Sequence, residues 1–217
     1  MVQLENIKAI IFDLDDTLID RKKAVTSYFE WLVKSYCPIP TDVHQIEILL
    51  QLDNFGHTDK WTFYEKLIEL WNLKNISASD FIQIWRCEFY KHTIAREGVY
   101  EVLTYLSKRY LLGLISNGYY DIQINKLKTV NIKKYFCQIV ISEAIGCQKP
   151  DPRIFSSTCS RLGVKAEHAV FVGDHFYNDI LGSFNAGLIP IWFKTGHENL
   201  ICNCHTICNL LELMRCL

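Results

Sequence analysis

Five short apolar runs punctuate the chain of 217 residues: "IKAIIFD" (7–13), "YLLGLISNG" (110–118), "FCQIVIS" (136–142), "HAVFVGD" (168–174) and "LIPIWFK" (188–194). Each is too short for an ordinary helix and runs into polar or glycine-bearing turn residues. Short runs this rich in Ile, Val and Phe predict strands buried on both faces. Helical patterns lie between most of them. "GVYEVLTYLSKR" (98–109) puts Val99, Val102, Leu103 and Leu106 on one stripe. "DIQINKLKTV" (121–130) precedes the third strand. "DPRIFSSTCSRLG" (151–163) offers Asp151 as N-cap, Pro152 at the first helical position and Gly163 as the stop. "NDILGSFNAG" (178–187) ends in Gly187. Strands alternating with helices predict an α/β fold, a doubly wound parallel sheet.

One interval breaks the rhythm. Between about Arg21 and Arg96 no strand pattern appears, only amphipathic helices such as "KWTFYEKLIELWN" and "SASDFIQIWRCEFYKH". Ser77 or Ser79 can cap the latter. The interval is too long for a crossover connection. It also holds Trp31, Trp61, Trp71 and Trp85, four of the five tryptophans. These aromatics read as a core of their own. The expected organisation is therefore a Rossmann-like domain from 1–18 and 97–217, with a helical subdomain, 19–96, inserted after the first strand.

Composition narrows the class. With 49% hydrophobic and 22% charged residues, the sequence fits a globular protein. A net charge of −1 gives no general surface for nucleic-acid polymers or membranes. The N-terminus lacks a signal-peptide pattern and no run approaches the ~18 apolar residues of a span, so a cytoplasmic protein is expected. Nine cysteines, an odd number, argue against a disulfide framework. The cluster Cys202, Cys204, His205, Cys208 lacks the spacing of common zinc modules and has no second cluster to complete it.

Chemistry-bearing residues collect where the strands end. "AIIFDLDDTLID" (9–20) runs from a buried strand into Asp13, Asp15 and Asp16, with Asp20 close behind. The second strand ends in Ser116-Asn117-Gly118. Lys149 precedes Pro150 after the third, and Asp174 closes the fourth with Asp179 five residues on. Each alone has an ordinary reading as a turn, cap or surface residue. In a parallel sheet, however, ligands bind at the C-terminal strand ends. Carboxylates crowded there would repel and titrate upward unless a cation sat among them. A hard divalent ion with oxygen ligands, Mg²⁺ for preference, answers that.

These segments resemble the haloacid dehalogenase (HAD) superfamily. "DLDDT" matches its DxDx[TV] signature, "LISNG" its second motif, "QKPDPRIF" its lysine motif and "VGDHFYNDILGSFNAG" its GDxxxxD, all four in the family's order. The resemblance implies Asp13 as nucleophile and Asp15 as general acid and then base. It implies Mg²⁺ on Asp13, the Asp15 backbone and Asp174. Ser116, Asn117 and Lys149 would hold phosphoryl oxygens, with Thr17 and Asp179 supporting. Asp16 and Asp20 take no such role. The insert is similar to the family's helical cap, expected to close over a small phosphorylated metabolite, with Arg21, Lys22, Lys23, the 53–60 loop, Tyr119 and Tyr120 as candidate contacts. The stretch from Ser116 to Phe155 is similar to nucleoside 5′-monophosphatase members of the family. The expected activity is thus a Mg²⁺-dependent phosphomonoesterase. The alternatives are a sugar-phosphate or phosphoglycolate phosphatase, a 2-haloacid dehalogenase, or a non-enzymatic receiver-like module. Dehalogenases in the family lack the second aspartate that Asp15 supplies. Receiver modules are shorter and lack the insert.

Overall fold

Ala9–Phe12 is four apolar residues with none of its surface exposed, which is only possible in the middle of a covered sheet. The computed structural model describes residues 6–39, 44–194 and 204–217. In chain order its elements are β1 (Ala9–Phe12), α1 (Arg21–Tyr36), α2 (His44–Asp53), α3 (Lys60–Trp71), α4 (Ala78–Glu88), α5 (Val99–Leu106), β2 (Leu111–Ser116) and α6 (Tyr120–Thr129). There follow β3 (Gln138–Ile141), α7 (Ser142–Ile145), α8 (Pro152–Leu162), β4 (Ala169–Gly173), a π-helical turn (Phe176–Leu181), α9 (Gly182–Asn185), β5 (Ile189–Phe193), β6 (His205–Ile207) and α10 (Leu213–Cys216).

The chain divides into two compact units, Met1–Asp20 with Ala95–Leu217, and Arg21–Ile94. In the first unit the described strands form one parallel sheet in the order β3-β2-β1-β4-β5-β6. The order reverses direction at β1, so the crevice of a doubly wound sheet opens beside Asp13. Side chains alternate between two cores. Ile10, Phe12, Leu112, Leu114, Val170 and Val172 pack with α5 on one face. Ala9, Ile11, Ile115 and Phe171 pack with Ile154, Phe155 and Cys159 of α8 on the other. Asp151 caps α8 by accepting from the Arg153 N–H, and Gly163 ends it in the left-handed region at φ +69°.

The described residues of the second unit form helices joined by short turns, with no strand among them. Ser77, not Ser79, caps α4, in a capping box with Asp80. Its core is aromatic. Phe29 stacks on Phe63 with ring centroids 5.5 Å apart, and Tyr64 on Phe81 at 5.3 Å. The buried hydroxyls of Tyr28 and Tyr64 satisfy each other at 2.8 Å. Trp71 and Trp85 are buried, whereas Trp61 faces solvent. Asp53, buried at the end of α2, accepts from both Arg21 and Lys60 at 3.0 Å. Two of the residues expected to meet substrate, Arg21 and Lys60 of the 53–60 loop, thus share a structural acceptor.

Among the described residues no helix is long and apolar enough to cross a membrane. Cys204 is disulfide-bonded. The other described cysteines are free, and Cys202 lies outside the described residues.

Candidate active site

The N–H of Asp13 donates to the Val172 carbonyl at 2.9 Å, carrying the β1–β4 ladder one residue past the strand and fixing the start of the acidic segment. The Asp13 carboxylate is 5% exposed and paired with the ammonium of Lys149. Lys149, equally buried, also lies 2.7 Å from Asp179 Oδ1. Asp179 reaches this point because the π-helical turn begins directly after His175, whose N–H donates to Asp179 Oδ2 at 3.0 Å. Asp174 follows β4, its carbonyl accepting from the Trp192 indole at 2.8 Å. Asp13, Asp174 and Asp179 each offer a carboxylate oxygen, all within 4.8 Å of one another. They share a cavity of about 160 Å³ with Asp15, Asp16, Ser116, Asn117 and Lys149.

The electrostatics match that crowding. Burial, aided by Asp179 and Asp15 and opposed by Lys149, pushes Asp13 up to about 7. Burial and the neighbouring Asp13, Asp179 and Asp16 push Asp174 to about 9. Burial opposes the charge on Lys149, yet Asp13 and Asp179 outweigh it and raise its pKa. Three carboxylates around one ammonium leave two negative charges uncompensated when all are ionised. An all-oxygen donor set with that deficit fits a hard divalent cation.

The remaining predicted residues take distinct places. Ser116, at the end of β2, is 1% exposed. Its Oγ accepts from Gln123 Nε2 at 2.6 Å, while its own approach to the Asn117 carbonyl is a long 3.4 Å. Asn117, expected to touch phosphoryl oxygens, lines the cavity and holds the Lys149 main chain: Oδ1 accepts from the Lys149 N–H at 2.9 Å, and Nδ2 donates to its carbonyl at 3.0 Å. Thr17 is buried, with its hydroxyl 3.4 Å from Asp174 Oδ1. Asp16 turns the chain at φ +59° and is held by Arg96, which donates to its carbonyl at 2.8 Å. The Asp15 carboxylate is held from α6. Lys126 Nζ meets its two oxygens at 2.7 and 2.9 Å, and Gln123 Nε2 donates to Oδ2 at 2.7 Å.

The family model of the haloacid dehalogenase-like hydrolases matches residues 10–193. The chain belongs to this family. Glyceraldehyde 3-phosphate phosphatase of Pyrococcus furiosus is 32% identical over 203 residues, 89% of this chain and 83% of that protein. Human N-acylneuraminate-9-phosphatase is 29% identical over 208 residues, covering 88% and 84%. Among solved structures, the magnesium-bound HAD-hydrolase YfnB of Bacillus subtilis superposes with a TM-score of 0.77 at 22% identity, over 97% of this chain and 98% of that one, a likeness of fold. The chain is thus a haloacid dehalogenase-like hydrolase with phosphatases among its relatives.

Two buried residues of this hydrolase escaped the sequence reading. Gln123 and Lys126 lie on α6, three residues apart, on the same stripe as the buried Leu127 and Val130. A glutamine and a lysine at core positions of an amphipathic helix were the available signal.

Proposed function

We propose that this hydrolase is a Mg²⁺-dependent phosphomonoesterase that acts on a small phosphorylated metabolite through an aspartyl-phosphate at Asp13. One observation carries the reading: a buried carboxylate and a buried ammonium, Asp13 and Lys149, meet at the sheet's switch point beside two further acids. The phosphatase names of the curated relatives support it.

In the first half-reaction an Asp13 oxygen attacks phosphorus, the bond from phosphorus to the ester oxygen breaks, and that oxygen takes a proton from Asp15. In the second, water attacks phosphorus and gives a proton to Asp15. The bond from phosphorus to Asp13 breaks, and inorganic phosphate leaves. Lys149 neutralises phosphoryl oxygens, and the Ser116 hydroxyl donates to them. Asn117 acts through Lys149, whose main chain it holds. Asp13, Asp174 and the Asp15 backbone would bind Mg²⁺, with Asp179 beside them; the ion supplies charge neutralisation between nucleophile and phosphate. Arg21–Ile94 is assigned as the cap, and Thr17 as support for Asp174.

For substrate, the relatives' names favour sugar-type phosphates, and the resemblance of Ser116–Phe155 adds nucleoside 5′-monophosphates. The test is phosphate release with Mg²⁺ across glyceraldehyde 3-phosphate, N-acylneuraminate 9-phosphate, nucleoside 5′-monophosphates and phosphoglycolate. The expected result is release from at least one, abolished in Asp13→Asn. Turnover by Asp13→Asn near that of the native chain would overturn the nucleophile assignment.

A further inference from the structure

We propose that Lys126 and Gln123 are positioning residues that set the Asp15 carboxylate for its proton transfer with water. The proposal rests on the phosphomonoesterase reading and adds to it two residues that none of the four sequence motifs contains.

Burying an ammonium is costly unless it is paired and hydrogen-bonded. Lys126 is 5% exposed and Gln123 2%. Neither lines the cavity that holds Asp13 and Lys149. What they reach is Asp15. Lys126 grips both of its oxygens, and Gln123 adds a second donor to Oδ2. The same Gln123 Nε2 lies 2.6 Å from Ser116 Oγ and 3.1 Å from the Asn117 carbonyl. One amide therefore fixes the end of β2, where phosphate binds, against the residue that moves the proton. Both donors stand on a helix, three residues apart, so their spacing is set by backbone geometry rather than by a loop.

The consequence falls on the second half-reaction. There, a carboxylate oxygen of Asp15 must take a proton from water as that water bonds to phosphorus and the bond to Asp13 breaks. A misplacement of about 1 Å at such a group can cost 10²-fold. With p-nitrophenyl phosphate the leaving nitrophenolate needs no proton, so the first half-reaction is insulated from Asp15 and the two steps separate.

The experiment is pre-steady-state hydrolysis of p-nitrophenyl phosphate with Mg²⁺ by the full chain. In Lys126→Met, steady-state turnover is expected to fall roughly 10- to 100-fold, while the rapid first release of nitrophenolate keeps its rate and appears as a burst. Lys126→Arg, which retains charge and two donors, restores turnover in part. Lys126→Met is silent when added to Asp15→Asn, because its effect passes through Asp15. Should Lys126→Met not fold, Lys126→Gln, which keeps one donor and loses the charge, is expected to give the same separation of phases at smaller size. An equal loss in both phases, or a full further loss on top of Asp15→Asn, would overturn the proposal. Absence of activity in the native chain would instead count against the phosphomonoesterase reading itself.

Discussion

Asn117 holds Lys149 by its main chain at both ends, accepting from its N–H at 2.9 Å and donating to its carbonyl at 3.0 Å. The lysine paired with Asp13 is thereby anchored from the residue that follows β2 rather than by its own loop. Asn117→Ala leaves a partly buried N–H and C=O without those partners, at a cost of about 1–3 kcal/mol. Because Lys149 would lose its fixed origin, kcat/KM for any accepted phosphomonoester should fall about 10- to 100-fold. Asn117→Asp keeps the acceptor but loses the donor and should fall between. Thermal melting and steady-state kinetics on the three proteins check this. Native-like kinetics in Asn117→Ala would leave the anchoring without function.

Asp174 and Asp13 set a pH dependence whose sign follows from their raised pKa values. Unfolded carboxylates release their protons near pH 4. The folded chain holds them up to about 7 at Asp13 and about 9 at Asp174. Between those limits the folded state binds more protons, so without metal its stability falls as pH rises. His92 acts the other way. Its burial lowers its pKa below 6.5, so its contribution is present above that pH and is lost as pH falls. The test is therefore a difference: melting in chelator at pH 5, 7 and 9, native chain against Asp174→Asn. The native chain should lose more stability with rising pH. A divalent ion competes with the bound protons, so Mg²⁺ should stabilise more at pH 9 than at pH 5. At a hundredfold excess over its Kd the gain is about 2.7 kcal/mol. A flat native profile, or an equal Mg²⁺ response in Asp174→Asn, contradicts the assignment.

Five strands are legible because each is a short, largely apolar run rich in Ile, Val and Phe, and the five runs bracket β1 to β5. β6 is not. It has three residues, His205 and Thr206 are polar, and among the described strands it pairs with β5 alone. The acids, Lys149 and Ser116 announced themselves as polar groups at strand ends. What hid was connectivity. Nothing local in "SNGYYDIQINK" says that Asn117 faces Lys149 while Gln123 and Lys126 face Asp15, because those partners lie 32 and more than 100 positions away. The π-helical turn that brings Asp179 onto Lys149 is likewise indistinguishable from ordinary helix in the sequence, since its wider turn leaves no mark on the apolar pattern.

The helical unit carries its own ionic node at Asp53. Arg21 and Lys60, each about one-fifth exposed, donate to the two oxygens of a carboxylate that is almost wholly covered. Despite its burial, those two cations lower the pKa of Asp53. The stability it contributes is therefore present above about pH 4 and lost as pH falls through its folded value. Asp53→Ala should cost about 2 kcal/mol at pH 7, discounted for the partial exposure of both cations. That cost should shrink towards pH 3. Hydrogen exchange should show the loss of protection confined to Arg21–Ile94. A cost independent of pH would point to packing rather than charge.

Gly173 ends β4 where Asp179 folds back over the strand. A Cβ added there would lie 2.5 Å from Asp179 Oδ2 and 2.6 Å from its Cβ, closer than real side chains come. Asp179 cannot yield easily. Its Oδ2 accepts from the His175 N–H at 3.0 Å, and its own N–H donates to the His175 carbonyl at 2.8 Å. Gly173→Ala must therefore push Asp179 off Lys149 or shift the end of β4. Either response moves the acids on which the proposed Mg²⁺ site depends. The expected cost is about 1–3 kcal/mol of stability, together with loss of the Mg²⁺-dependent rise in melting temperature and of most phosphate release. The paired change Gly173→Ala with Asp179→Gly removes the clash. It should recover stability without recovering activity, because Lys149 then lacks its second carboxylate. Recovery of both would mean that Asp179 serves only to fill space.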